Sequence, residues 1–184
     1  MMIWNALTLN IMLLIDMIEE LLKVSIENLI REEIVGNYKK IVMRKFYIGN
    51  ITPEANTIFV FGSNPEGRHG AGAAKVARNQ FGAIYGQGEG LQGNAYALPT
   101  KDLRVKENRG LRSISKEDII KSIKNLYETA RQYSDKQFKI AYRNTYSASL
   151  NGYTGLEMID MFLEAGPIPD NIIFSKEWID TGKL

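Results

Sequence analysis

The sequence predicts an α/β protein with a largely parallel sheet, and three observations carry that reading. Short apolar runs alternate with amphipathic, helix-like stretches. One of those runs, Ile58–Phe61, is apolar throughout, as a strand buried on both faces must be. It feeds directly into a Gly/Asn/Ser turn and a glycine-rich loop that becomes helical. Nine of the sixteen glycines lie between Gly62 and Gly93.

Composition narrows the class. The 184 residues are 45% hydrophobic and 24% charged, the balance of a chain with an ordinary globular core. A net charge of +2 is too small to argue for a nucleic-acid partner. No cysteine is present, which removes disulfides, thiolate metal sites and a cysteine nucleophile, and agrees with a cytoplasmic setting. A single histidine, His69, rules out a histidine-rich metal centre.

Residues 1–40 carry a helical period. Ile11, Leu14, Ile15, Ile18, Leu22, Ile26, Leu29 and Ile30 share one face, and Asp16, Glu19, Glu20, Lys23, Glu27 and Arg31 the other. Gly36-Asn37 is the expected stop. This amphipathic helix, residues 1–42, is set apart from a domain over 43–184. Two roles remain open: docking on the domain or on a second copy to make a homodimer, or an extension outside the native domain with Met43 as its start. A membrane role is disfavoured, because the uncharged stretch Met1–Ile15 is short of the roughly 18–20 residues a span needs and the polar face is acidic.

The domain then reads in order. Met43–Ile48 is a strand and Gly49–Pro53 a turn. Ile58–Phe61 is the central strand, and Ala71–Phe81 a helix rich in alanine. Ala83–Tyr85 reads as a short strand, Gly86–Gly93 as a flexible loop and Ala95–Leu98 as a strand ended by Pro99. Thr100–Leu111 is a basic loop. Ser115 and Asp118 open a helix as an S-x-x-D box, with Ile119, Ile120, Ile123, Leu126, Tyr127 and Ala130 on its buried face. Phe138–Tyr142 is a strand, Arg143–Tyr153 a polar loop, Thr154–Leu163 a helix and Asn171–Phe174 the last strand.

Ligands in open α/β sheets sit outside the carboxyl ends of the strands. The loops that leave such ends are Gly49–Thr52, Gly62–Gly72, Thr100 onward and Arg143–Tyr153. In the second of these, glycine allows backbone amides to approach an anion, and the following helix start adds unpaired N–H donors and a positive dipole end. Rival readings are structural. Gly70 and Gly72 also suit a tight strand–helix turn. His69 suits loop packing as well as acid–base work, and Asn64 suits a cap or turn closure. Tyr85, Tyr96 and Tyr153 read as core or wall.

Gly49-Asn50-Ile51-Thr52, Val60-Phe61-Gly62-Ser63-Asn64 and Gly67-Arg68-His69-Gly70-Ala71-Gly72-Ala73-Ala74 together resemble the start of a macro domain. The tract continues as FGAIYGQGEGLQGNAYALPTKD and is similar to macro-like proteins of bacteria and phages; the resemblance spans roughly Met43 to Trp178. It implies a three-layer α/β/α fold with a cleft for ADP-ribose or a related nucleotide. No cofactor is expected, and a carboxylate-only metal site stays open but has no motif behind it. Asn50, followed by Ile51, stands where the family holds the adenine with an acidic residue. Asn64, after Ser63, matches the asparagine beside the distal ribose. Gly67, Arg68, Gly70, Ala71 and Gly72 match the loop around the pyrophosphate. Arg143, Asn144, Thr145, Ser147 and Tyr153 match the second phosphate loop, which here has one glycine instead of a glycine-rich turn. If the protein hydrolyses an ADP-ribosyl linkage, the resemblance implies Asn64 as the positioning group and His69 beside it. The alternatives are a non-catalytic module that sequesters or senses a nucleotide, and an interaction domain without a ligand.

Overall fold

The computed structural model describes residues 2–42, 44–105 and 112–184, with the side chains of residues 2–10 and 37–42 left aside. The chain divides into two compact units, Met1–Arg44 and Lys45–Leu184. The first is a single helix, α1 (Met2–Val42). It runs through Gly36-Asn37, where the sequence pointed to a stop. A glycine in a helix interior costs only about 1 kcal/mol against alanine, too little to end a helix on its own. Every described side chain from Ile11 to Gly36 is exposed, the apolar ones included. The five consecutive apolar residues Ile11–Ile15 encircle the helix, so its apolar stripe is distinct only beyond them. No described helix is long and apolar enough to cross a membrane.

The second unit is a six-stranded sheet with helices. In chain order its elements are β1 (Phe46–Tyr47), β2 (Thr57–Ser63), α2 (Gly72–Gln80), β3 (Gly90–Gln92), β4 (Ala95–Pro99), α3 (Lys116–Gln132), β5 (Gln137–Ile140), α4 (Gly155–Glu164), β6 (Ile172–Ser175) and α5 (Lys176–Ile179). The strand order is β1-β6-β5-β2-β4-β3. All neighbours pair parallel except β3, which runs antiparallel to β4 at the edge. The fold is therefore mixed α/β with a mostly parallel sheet, consistent with three α/β/α layers.

Alternation along the strands builds two cores. Ile58, Val60, Tyr96, Leu98, Phe138, Ile140 and Phe174 turn to the face covered by α3 and α4, where Ile123, Leu126, Met158 and Phe162 meet them. Phe59, Phe61, Ala95 and Ala97 turn the other way, towards Ala74, Ala77 and Phe81. Phe59 stacks on Phe81 with ring centroids 4.5 Å apart. Both faces of β2 are thus buried, which is why its sequence is an unbroken apolar run.

Caps set the helix starts. Ser115 Oγ accepts from the Asp118 amide at 3.1 Å. Thr154 and Glu157 form a full reciprocal capping box at α4. The basic loop is described only as far as Val105; its remainder, through Leu111, lies outside the described residues.

Two elements differ from the sequence reading. Ala83–Tyr85 forms no strand, because its donors are spent locally: the Ala83 amide bonds the Ala77 carbonyl, and the Ile84 amide bonds Gln92 Oε1 at 2.6 Å. The strand lies instead at Gly90–Gln92, inside the stretch read as a flexible loop. The buried Gln92 explains the exchange, since its side chain ties this edge strand to the carbonyl of Gln87 as well.

Candidate functional site

A cleft of about 590 Å³ opens at the carboxyl ends of β2, β4 and β5. Its walls are the start of α2 (Gly70–Ala74), the loop after β4 (Thr100, Lys101, Leu103) and the loop after β5 (Tyr142–Asn144 and Ser149–Asn151). Among the described residues no Asp or Glu lines it, whereas Arg68, Lys101 and Arg143 do. The cleft therefore favours an anionic ligand.

The start of α2 is built for backbone contact. Its N-cap position is Ala71, in extended conformation and without a side-chain cap bond, so the first amides of the helix are not claimed by a capping oxygen. Gly70 and Gly72 line the cleft, and a Cβ added to either meets nothing within 4 Å. Gly72 has φ +53°, a conformation that also suits glycine on steric grounds.

The three cations are not equivalent. Arg143 donates to the carbonyl of Gly49 and reaches Asn50 Oδ1 at 3.5 Å. Lys101 Nζ donates to the carbonyl of Leu150 at 2.8 Å. The exposed Arg68 guanidinium has no hydrogen bond or ion pair among the described residues.

Asn64 lines the cleft but uses both ends of its amide on the loop. Nδ2 donates to the Arg68 carbonyl at 3.0 Å, and Oδ1 accepts from the Arg68 amide at 2.9 Å. This clasp, with the Gly67 amide on the Asn64 carbonyl at 2.9 Å, closes the turn 64–68. Gly67 packs against the backbone of Gly86 and Gln87, where no Cβ fits. His69 is fully buried behind the loop, edge-on to Phe61, with Nε2 3.3 Å from Ser63 Oγ. Burial, then the charge of Arg78, holds its pKa below the ordinary value, so its ring is neutral.

The cleft thus brings together Ser63, Asn64, Arg68, Gly70, Ala71, Gly72, Arg143 and Asn144 from the sequence reading. The structure places Asn50 beside Arg143 rather than in the lining. Ile51 is part of the core under α2. Thr145 turns its carbonyl to the Leu156 amide, and Ser147 is exposed outside the lining. Tyr153, read as either a cleft or a core residue, belongs to the core: its hydroxyl bonds the Ile114 carbonyl, and Arg112 covers its ring at 4.7 Å. The second loop is a compact turn whose carbonyls face inward: Gly152 bonds back to Ser149, and Trp178 Nε1 bonds the Asn144 carbonyl. At Gly155 no side chain fits, because the Asn144 carbonyl occupies its place.

The floor escaped the sequence reading. Tyr142 lies over Gly62, its hydroxyl 2.8 Å from Thr100 Oγ1 and 3.4 Å from Asn151 Nδ2. A Cβ on Gly62 would collide with that hydroxyl. A glycine interrupting an otherwise bulky central strand is itself the signal of such close approach. Burial pushes the Tyr142 phenol up to about 12, so it stays protonated.

No model of a known protein family matches this sequence, and no curated protein matches it significantly.

Proposed function

We propose that the cleft binds ADP-ribose or a related nucleotide, with the phosphates against the start of α2. One observation carries the reading: Gly70 and Gly72 leave open space beside an uncapped helix start, next to Arg68, whose guanidinium has no partner among the described residues, in a cleft that none of the described carboxylates lines. Backbone amides and a helix dipole end are well suited to phosphate oxygens, and Arg68 supplies a charge-assisted partner. The resemblance of the glycine-rich tract to macro domains supports the nucleotide part.

Binding without turnover is the better supported form of this function. Asn64 spends both amide ends on the loop and His69 is sealed behind it. Their contribution is to hold the loop open for backbone contact. A module that sequesters or senses a nucleotide needs no more than that.

Calorimetric titration with ADP-ribose tests the reading. The wild type binds, and Arg68→Gln weakens binding about 10-fold, as for loss of a charge-assisted hydrogen bond worth about 1.5 kcal/mol. Added salt should narrow the gap between the two proteins. Absence of binding by a folded wild type contradicts it.

A further inference from the structure

A large apolar surface lies on α1 and is independent of the cleft. Fifteen large apolar side chains between Ile11 and Val35 stand 46–66% exposed. Together they present on the order of 1,000 Å² of apolar surface, where a monomer's largest patch is ordinarily about 300–600 Å². An unpacked helix is marginal in water, because most helical stability comes from burying one face. A helix of 41 residues that buries none of its described side chains therefore lacks a partner.

The spacing shows what shape of partner fits. Ile11, Ile15 and Ile18 are repeated eleven residues later by Leu22, Ile26 and Leu29. An eleven-residue repeat has about 3.67 residues per turn, close to the helix's own value of about 3.6. The six side chains therefore form one line along the axis, about 27 Å long, instead of winding round it. Such a line is complementary to another straight apolar helix.

Charge and area select the occupant. From Ile11 to Gly36 the helix carries six acidic residues and two basic ones, Lys23 and Arg31. Helices that lie on lipid carry lysine and arginine on the polar face, so a membrane surface is a poor match. A second copy matches, since it brings the same line and leaves the acidic face of each helix in water. A two-fold pair needs only one patch that complements itself. A standard interface takes about 800 Å² from each partner, which is within what α1 exposes.

We propose that α1 pairs with α1 of a second copy along this line, giving a homodimer whose interface shares no residue with the cleft. The pairing does not depend on the nucleotide reading above.

Sedimentation equilibrium of the full chain, with circular dichroism, tests it. The wild type should have twice the mass of one chain at micromolar concentration. Leu22→Glu, near the middle of the line, should raise the dissociation constant at least about 30-fold, the scale of a central interface residue. Its helical signal should fall as well, since an unpaired α1 is marginal. Glu20→Gln, on the opposite face, should still pair. ADP-ribose affinity should be equal in all three proteins, so a failure of the pairing is distinct from a failure of the nucleotide site. A wild type of single-chain mass or of more than two chains overturns the proposal. So does a Leu22→Glu variant that pairs as tightly as the wild type, a Glu20→Gln variant that does not pair, or a wild type that co-sediments with phosphatidylserine vesicles.

Discussion

His69 illustrates how one residue's chemistry follows from its placement. As the chain's lone histidine inside a glycine loop, it invited an acid–base reading. The structure buries its ring against Phe61 with Ser63 as polar neighbour. Burial, and after it Arg78, lowers its pKa from the ordinary 6.5. Over the interval between the two values, the unfolded chain binds a proton that the folded one does not. Stability from this source is therefore full above about pH 6.5 and is lost as pH falls below it. The sign predicts that lowering the pH from about 7.5 to about 5.5 reduces the melting temperature of the wild type more than that of His69→Gln, which cannot titrate there. Equal shifts in the two proteins would show that His69 is not held neutral by the fold. Asn64 carries the same lesson. Its position at a strand end was legible in the sequence, but a side-chain clasp on the backbone four residues later was not, because both a cap and a ligand contact fit the same residue type.

At the scale of elements, the pattern of strands and helices was legible wherever burial on one or both faces imposed it. β2 is apolar throughout because α2 lies on one face and α3 and α4 on the other. The edge strand was misplaced because it is three residues long and held by a glutamine, which no hydrophobic period announces. The loop after β5 was legible as a site wall but not in detail. Its carbonyls are consumed by Leu156 and Trp178, and glycine at 155 permits that approach. The helix α1 stands as a unit of its own, whereas residues Lys45–Leu184 contain both cores and every wall of the cleft. A chain beginning at Met43 is therefore predicted to keep its circular-dichroism spectrum for the α/β unit and its affinity for ADP-ribose. Binding lost in a shortened chain that still folds would show that α1 contributes to the site.

For the molecule as a whole, the site is a consequence of topology. Parallel strands β2, β4 and β5 end side by side, and the loops that leave them enclose a cleft lined by no carboxylate among the described residues. The helix start that walls it owes its openness to two glycines that differ in kind. Gly72 lies at φ +53°, so any substitution there strains the backbone as well as filling the cleft. Gly70 lies outside the left-handed region, and an added Cβ meets no atom of the protein. A side chain at Gly70 therefore leaves the fold alone and occupies only the space assigned to phosphate. The most direct measurement is calorimetric titration of the wild type and Gly70→Val with ADP-ribose, alongside their melting temperatures. The predicted result is binding by the wild type, at least about a tenfold loss in the variant, equivalent to about 1.4 kcal/mol, and unchanged melting. Equal affinity in both proteins, or a folded wild type that does not bind, would contradict the assignment of the α2 start as a phosphate site.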